Sequence, residues 1–220
     1  RREWEVVCET CGQAVQPMPT KEDKPLFPTS IYAITKRDHE EMCLAFGRAY
    51  AIPSIALRFF NVYGSQQALS NPYTGVAAIF SGRLLNNKPP LIFEDGLQKR
   101  DFVHVSDIVQ AILLALESDG VKDTILNVGS GQPVSVLEVA QALIRETGVE
   151  VEPEIVNQFR AGDIRHCYAD ISKIRQTLGY EPRVQFEAGV HELVAWVGQE
   201  NAVDGVDRAY RELADRGLAE

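Results

Sequence analysis

The sequence predicts an α/β fold in which helices alternate with parallel strands. Residues 30–50 have a helical pattern of about 20 residues, opened by a stop-and-cap signal at residues 28–30. Residues 52–60 follow as a run rich in β-branched and aromatic residues, which is typical of a buried parallel strand. A second strand-like run, residues 124–128, precedes a helix with a capping-box signal.

The composition is consistent with one globular unit. The chain has 220 residues, 45% of them hydrophobic, so it can bury a substantial core. Its formal net charge of −9 argues against nonspecific nucleic-acid binding, which needs clustered basic residues. No apolar run approaches the roughly 18 residues of a membrane span, and no signal peptide is visible. We therefore expect a cytoplasmic protein with neither nucleic acid nor membrane as a partner.

The first predicted helix begins with a Tyr-x-x-x-Lys pattern. Tyr32 and Lys36 are four residues apart, so their side chains lie on one face of the helix. An ammonium beside a phenol favours the phenolate form, which makes Tyr32 a candidate general base. The pattern is also common by chance, and the alternative is a half-buried tyrosine beside a solvated lysine on an ordinary amphipathic helix.

Further elements follow in order along the chain. The first strand ends in a predicted polar turn over residues 61–64, and ligands of open α/β sheets bind at such strand ends. Ser106 or Asp107 is expected to cap a helix over residues 108–117. The other predicted elements are a turn over 71–75, a helix over 76–85, strands over 89–93 and 102–105, helices over 170–179 and 186–196, and an amphipathic terminal helix from residue 204 onward.

Five segments together resemble a known family. They are SIYAITK at 30–36, LRFFNVYG at 57–64, GLQKRDFVHVSD at 96–107, LNVGSG at 126–131 and RAGD at 160–163. In this order they are similar to the extended short-chain dehydrogenase/reductases (SDRs), specifically the NAD-dependent nucleotide-sugar epimerase/dehydratase family. The resemblance implies a partial NAD-binding Rossmann (SDR) fold that lacks its first strands, plus a small α/β substrate-binding domain.

The resemblance also implies a division of the chain. Its parts are a cysteine-containing segment and Pro-rich connector at 1–29, the carboxyl-terminal part of the Rossmann domain with the Tyr/Lys helix at 30–64, a mainly nucleotide-sugar-binding part at 65–200, and a terminal helix at 201–220.

The glycine-rich turn with which the family binds its cofactor does not occur in this sequence. The nearest pattern, residues 129–131, is interpreted as a structural loop with a potential substrate contact. The first strands and the third catalytic residue, a Ser or Thr, would precede Arg1. We therefore expect the chain to be the carboxyl-terminal part of a longer enzyme.

Individual residue roles follow from the resemblance. Tyr32 and Lys36 would be catalytic and contact NAD. Phe59 and Phe60 would lie beside the nicotinamide, and Asn61 would offer a donor and an acceptor to the nucleotide-diphosphate sugar.

Charged residues are the candidates for the substrate's diphosphate. Arg100 can bind a diphosphate bidentately, although a strand-edge arginine paired with a carboxylate such as Asp101 is the alternative. The resemblance implies that Arg160 lies near the diphosphate and Asp163 near the ribose or a neighbouring hydroxyl, with Arg165 as second choice. The alternative there is an ion-paired loop.

Of the four cysteines, only Cys8 and Cys11 have an informative spacing. Cys-x-x-Cys-Gly has the form of one zinc knuckle, but a structural zinc needs four ligands. Cys43 and Cys167 form no second pair, so a partner knuckle would precede Arg1. The alternative is a chance pair of reduced thiols.

The function implied by the resemblance is epimerisation of a nucleotide-diphosphate sugar, as in UDP-glucose 4-epimerase-like enzymes, through a transient ketosugar. A dehydratase of the same family is the alternative reaction. A different class of alternative is a catalytically inactive nucleotide-sugar-binding fragment, or a chain complemented by a separate amino-terminal half. Because family members commonly pair through the tyrosine helix, a homodimer is a further expectation.

Overall fold

The computed structural model describes residues 3–70, 75–160, 162–201 and 204–217. These residues form an α/β structure, which confirms the predicted fold class. The helices are α1 (Ile31–Tyr50), α2 (Val76–Leu85), α3 (Val105–Glu117), α4 (Val136–Thr147), α5 (Ser172–Leu178), α6 (Phe186–Val197) and α7 (Val206–Asp215). The strands are β1 (Ile55–Phe59), β2 (Asn61–Tyr63), β3 (Leu91–Ile92), β4 (Lys99–His104), β5 (Thr124–Val128), β6 (Pro133–Ser135) and β7 (Glu154–Ile155).

The structure bears on two further predictions, the turn over residues 71–75 and the absence of a membrane span. Most of the turn expected over 71–75 lies outside the described residues. In the part of the chain that is described, no helix is both long and apolar enough to cross a membrane.

Strands β1 and β5 form a parallel pair. Ile55 lies opposite Thr124 and Phe59 opposite Val128, so the carboxyl ends of both strands meet at one edge. Among the described residues no strand pairs with the other edge of β1. A two-stranded parallel piece flanked by helices is consistent with the predicted partial Rossmann sheet.

The remaining strands form two further small sheets. β4 lies between parallel β2 and antiparallel β6, and β3 pairs with β7. The prediction of a polar turn over 61–64 is therefore wrong for its first three residues. The chain leaves β1 after Phe59 and pairs with β4 as strand β2, because its backbone finds hydrogen-bond partners there.

Two apolar clusters hold these elements together. The first packs α2, α4 and α6 around Tyr63 and Phe102, and the second packs α3 and α5 against β1 and β5. Gly189 of α6 allows the first cluster to close, because a Cβ there would lie 2.2 Å from the Tyr63 hydroxyl oxygen. Each buried large side chain in such clusters contributes about 1.5–3 kcal/mol.

Helix α3 begins three residues earlier than the sequence predicts. His104 is its N-cap, and the imidazole lies 3.4 Å from the backbone N–H of Ser106, which donates to it. Asp107 is buried and accepts from the backbone N–H groups of Arg183 and Val184 at 2.9 and 3.2 Å. Neither Ser106 nor Asp107 is the cap, because an imidazole acceptor takes that position and the carboxylate ties α3 to the segment before α6.

Candidate active site

The amino terminus of α1 presents the Tyr-x-x-x-Lys pair. Ser30 caps the helix by accepting from the backbone N–H of Ala33 at 3.1 Å, as predicted. Tyr32 is 72% exposed, and the Lys36 ammonium lies 5.4 Å from the centre of its ring. The two side chains therefore share one face of the helix, open to a ligand.

An arginine of β1 fixes the position of α1. Arg58 donates two hydrogen bonds to the carboxylate of Glu40, at 2.6 and 2.7 Å, and a third to the backbone carbonyl of Glu22 at 3.0 Å. Both charged side chains are mostly buried. This bidentate contact joins the tyrosine helix, the strand and the connector before the helix into one arrangement.

Phe59, Phe60 and Asn61 lie where the chain passes from one sheet to the next. The backbone N–H of Phe60 donates to the carbonyl of Val128 at 3.1 Å, and Asn61 lies opposite Phe102 in the register of β2 and β4. The Phe59 side chain is 45% exposed at the carboxyl end of β1. An exposed aromatic ring at this edge can cover a planar ligand group.

The loop that carries Arg160 and Asp163 approaches the start of α1. An ideal Cβ on Gly162 would lie 3.8 Å from the hydroxyl oxygen of Thr29, the residue before the N-cap. Gly162 also has a φ of +87°, a left-handed conformation that glycine adopts without strain. The structure therefore brings the predicted diphosphate loop beside the helix that carries Tyr32.

Within this loop the two candidate side chains bind each other. The Arg160 guanidinium donates to both carboxylate oxygens of Asp163 at 3.0 and 2.8 Å. The guanidinium also lies 5.4 Å from the ring centre of Phe93. This is the ion-paired geometry expected of the alternative interpretation, and a diphosphate would compete with Asp163 for the same donors.

Arg100 holds the far side of the same loop. Its guanidinium donates to the backbone carbonyls of Lys99 at 2.9 Å, Arg165 at 3.0 Å and Ile164. Burial lowers the pKa of Arg100 from its ordinary value. The alternative pairing with Asp101 does not occur, because Asp101 is engaged elsewhere.

Asp101 is a structural residue that the sequence analysis did not identify. It is fully buried, and its carboxylate accepts from the Ser130 backbone N–H and hydroxyl at 2.7 Å each, from Gly131 N–H at 2.9 Å and from Ala169 N–H at 3.1 Å. A Cβ on Gly129 would lie 2.6 Å from this carboxylate. The glycine-containing turn therefore binds an internal anion, and its N–H groups are not available to a pyrophosphate.

Arg165 is the centre of a second ionic cluster that the spacing of residues did not reveal. Its guanidinium contacts Glu5 at 2.6 Å and Glu94 and Asp95 at 2.7 Å each, while the imidazole of His166 lies 2.9 Å from Glu5. Burial raises the pKa of Glu5 and of Asp95, but their hydrogen bonds outweigh this effect, and both pKa values lie below the ordinary value. The partners that lower the pKa of Glu5 are His166 and Arg165. The main partner that lowers the pKa of Asp95 is Arg165. Arg165 thus anchors the amino-terminal segment to the loop.

Cys8 and Cys11 have the local geometry of a knuckle. Gly12 N–H donates to the Cys8 carbonyl and Cys8 N–H donates to the Gln13 carbonyl, each at 2.8 Å. The backbone N–H groups of Cys11 and Thr10 lower the pKa of the Cys8 thiol. The described residues contain no group of three or more side chains that could hold a metal, so zinc is not supported by this structure.

The described residues fit only one end of an NAD molecule. Tyr32, Lys36 and the exposed Phe59 ring are suited to the nicotinamide end. The glycine-containing turn of this chain is filled by the Asp101 carboxylate, so it offers no pyrophosphate cradle. The residues that would bind the adenosine and pyrophosphate are not among those that the structure describes.

Three features of the structure agree with the extended short-chain dehydrogenase/reductases that the motifs resemble. They are a parallel strand pair, a Tyr-x-x-x-Lys helix beside its carboxyl end, and the loop that carries Arg160 and Asp163, called the arginine loop, next to that helix. The comparisons with known proteins agree. The family model described as GDP-mannose 4,6 dehydratase matches residues 9–193. The chain belongs to the NAD-dependent nucleotide-sugar epimerase/dehydratase family, as the resemblance of its motifs predicted.

Several curated relatives of the chain are named as epimerases, and one is named as a nucleotide-sugar decarboxylase. The chain is 38% identical over 173 residues to a dTDP-L-rhamnose 4-epimerase of Burkholderia thailandensis, covering 79% of this chain and 47% of the relative. It is 36% identical over 184 residues to a putative UDP-glucose 4-epimerase of Methanocaldococcus jannaschii, covering 84% and 58%. The chain therefore spans about half the length of the curated relatives it matches.

A solved structure of UDP-glucose 4-epimerase from Thermotoga maritima, with UDP-glucose, has a TM-score of 0.76 at 36% identity. The match covers 86% of this chain and 60% of the Thermotoga maritima chain. The Thermus thermophilus UDP-glucose 4-epimerase, in complex with NAD, has a TM-score of 0.71 at 29% identity, with 89% of this chain and 60% of that chain covered.

Proposed function

We propose that this chain supplies the catalytic helix and the nucleotide-sugar-binding part of an NAD-dependent epimerase acting on a nucleotide-diphosphate sugar. The observation that carries the proposal is the approach of Gly162 to Thr29, because it puts the arginine loop beside the helix with Tyr32 and Lys36. The names of the epimerase relatives support the same reaction class.

In this proposal Tyr32 removes a proton from a sugar hydroxyl, and Lys36, whose ammonium lies beside the Tyr32 ring, forms the reacting face of α1 with it. NAD, when bound, would supply a reversible hydride acceptor for the adjacent sugar carbon. Tyr32 then gives the proton back to the oxygen of the transient ketosugar, whose other face has been presented. Phe59 and Phe60 would line the nicotinamide end of the cofactor, and Asn61 would orient the sugar through its donor and its acceptor.

The diphosphate is proposed to bind the arginine loop. Arg160 would exchange the carboxylate of Asp163 for phosphate oxygens, which present a similar bidentate geometry. Asp163 would then be free to accept from a ribose or neighbouring hydroxyl. Arg100 would have to exchange a backbone carbonyl for a phosphate oxygen to make direct contact.

A dehydratase is the second candidate reaction. The family model that matches the chain is described as GDP-mannose 4,6 dehydratase, which favours this reading independently of the epimerase relatives. Epimerase and dehydratase would share the roles of Tyr32 and Lys36. They differ in the acid and base that act on the neighbouring carbons. A chain that binds nucleotide sugar without turnover is the remaining alternative.

A homodimer through α1 belongs to the same proposal. Met42, Phe46 and Tyr50 are spaced by four residues and are 59%, 55% and 67% exposed, so they form an apolar stripe on the outer face of α1. Such a stripe suits packing against a partner helix. A cytoplasmic location is also part of the proposal, and rests on the sequence alone.

Zinc binding by Cys8 and Cys11 is a separate part of the proposal. The knuckle geometry supports two thiolate ligands, and a four-ligand site would need two more from outside the described residues. Zinc retained after dialysis against a chelator at one atom per chain or per two chains would support the site. Loss of all zinc would leave a pair of reduced thiols.

The proposed function is tested by binding and turnover. Titration of the chain with UDP-glucose and with dTDP-glucose is expected to give saturable binding to at least one of them, weakened about tenfold or more by Arg160→Ala. In a fusion to the cofactor-binding half of an epimerase relative, Tyr32→Phe is expected to reduce turnover about 100-fold or more while leaving nucleotide-sugar affinity within about threefold. Absence of binding to both sugars, or turnover that survives Tyr32→Phe, would refute the proposal.

A further inference from the structure

Helix α7 lies beyond residues 9–193, the part of the chain that the family model matches. Its less exposed positions are Val206, Ala209, Tyr210 and Leu213, which follow helical spacing. One face of α7 therefore packs against the rest of the protein, and the amphipathic terminal helix that the sequence predicts is confirmed.

Four charged side chains anchor α7. Arg83, at the end of α2, is 5% exposed and lies 2.5 Å from Asp207 and 3.5 Å from Asp204. The Lys88 ammonium lies 2.9 Å from Asp204 and 2.8 Å from Asp207. Two aspartates of the α7 region thus bind one cation of α2 and one of the segment between α2 and β3, and this arrangement fixes where α7 lies.

The aromatic contact of α7 reaches the arginine loop. The Tyr210 ring lies 5.9 Å from the ring of Phe93, and its hydroxyl donates to the side-chain carbonyl of Gln158 at 2.5 Å. Phe93 also contacts the Arg160 guanidinium, at 5.4 Å from its ring centre. Tyr210, Phe93 and Arg160 therefore form a continuous chain of contacts, in which the two rings are tilted by 56°, and Gln158 ties the start of the loop to the same tyrosine.

We propose that α7 positions the diphosphate-binding arginine, with Tyr210 as the positioning residue. Tyr210 holds the Phe93 ring and Gln158, so that the Arg160 guanidinium rests on an ordered aromatic platform. A flexible arginine loses much rotamer freedom on binding a phosphate, and a platform that orders it beforehand reduces that loss. The ligand concerned is the pyrophosphate of a nucleoside diphosphate. The inference rests on the proposed function of Arg160 and adds a residue to it.

A double-mutant cycle tests this inference. UDP and dTDP are titrated into the full chain and into Tyr210→Ala, Arg160→Ala and the double variant. Tyr210→Ala is expected to weaken nucleotide binding about five- to tenfold when Arg160 is present. In the Arg160→Ala background, the same change should weaken binding less than about twofold. Tyr210→Phe, which keeps the ring, should stay within about threefold of the unchanged chain. Arg208→Ala, on the exposed face of α7, is the matched control and should bind normally.

Equal losses in both backgrounds, or no loss at all, would overturn the inference, because Tyr210 would then act independently of Arg160. A second measurement separates this failure from failure of the proposed function. If the unchanged chain binds neither nucleotide, hydrogen–deuterium exchange decides whether α7 positions the loop that carries Arg160. Faster exchange of residues 156–160 in Tyr210→Ala, with Arg208→Ala unchanged, supports positioning of the loop by α7, and unchanged exchange there overturns it.

Discussion

Replacement of Asp101 by asparagine is expected to destabilise the protein strongly. The carboxylate is fully buried and accepts four hydrogen bonds at 2.7 to 3.1 Å, three from backbone N–H groups and one from the Ser130 hydroxyl. Asparagine has the same shape but keeps only one acceptor oxygen. Its amide nitrogen is best placed toward Ser130, because that hydroxyl can rotate and become an acceptor, while the Ser130 N–H loses its partner.

One buried donor without a partner costs about 1–3 kcal/mol, and the remaining bonds lose the assistance of a charge. We therefore expect Asp101→Asn to lower the free energy of unfolding by about 2–4 kcal/mol. Ser130→Ala removes one hydroxyl, which donates to Asp101 and accepts from the exposed Gln132 backbone N–H at 3.1 Å, and should cost about 1 kcal/mol. Urea unfolding followed by far-ultraviolet circular dichroism measures both. A loss below about 0.5 kcal/mol for Asp101→Asn would refute the argument that this carboxylate organises the turn.

Three further predictions concern packing and charge. Arg58→Ala should lower the free energy of unfolding by about 2–3 kcal/mol, because it breaks a mostly buried bidentate pair with α1. Arg48→Ala, which breaks an exposed pair, should cost less than about 1 kcal/mol. Urea midpoints that fall equally in the two variants would contradict this expectation. Gly189→Ala should lower the free energy of unfolding by about 1–3 kcal/mol, because the new methyl group clashes with the Tyr63 hydroxyl. Tyr63→Phe in the same chain should recover part of that loss. Additive losses in the double variant would count against the clash. The pKa of Asp207 is lowered to about 2 by Lys88 and Arg83, so its ion pairs stabilise the docking of α7 above the ordinary pKa of 3.8, and this stabilisation is lost as the pH falls toward 2. Protection factors of α7, which correct hydrogen exchange for its intrinsic pH dependence, should fall over that range but change little in Asp207→Asn. An equally steep fall in that variant would argue against the assignment.

The parts of the fold that the sequence predicts well are those with local signals. Ser30 caps α1 by a side-chain hydrogen bond and Gly179 ends α5 in a left-handed conformation, and both residue types favour those positions for local reasons. The capping box of α4, formed by Ser135 and Glu138, is likewise present. Such signals depend on residues a few positions apart, so one sequence suffices to identify them.

The errors concern contacts between distant residues. Residues 61–63 look like a turn because they begin with the polar Asn61 and precede Gly64, but β4, about 40 residues later, provides a strand partner. Asp101 and the turn at residues 129–131 are also far apart in sequence, so the anion that fills the turn was not predicted. A glycine-containing turn whose N–H groups point together does indicate an anion, and the missing information was which anion.

The candidate site divides in the same way. Tyr32 and Lys36 follow from helical spacing, and their shared face is present in the structure. The partners of Arg100 and Arg160 did not follow from spacing, because a guanidinium can bind any nearby carbonyl or carboxylate. The contact between α7 and the arginine loop depends on Tyr210 reaching Phe93 and Gln158, which no local pattern encodes.

We propose that this chain carries a nucleotide-sugar site and the Tyr/Lys helix, while its described residues include no glycine-containing turn open to the pyrophosphate of NAD. The direct measurement is to denature the purified chain, assay the released nucleotide for NAD, and titrate the native chain calorimetrically with NAD and with UDP-glucose and dTDP-glucose. We expect no stoichiometric NAD, and we expect nucleotide-sugar binding that Arg160→Ala weakens. One NAD per chain would contradict this proposal, because the described residues would then have to hold a pyrophosphate without the turn that Asp101 fills.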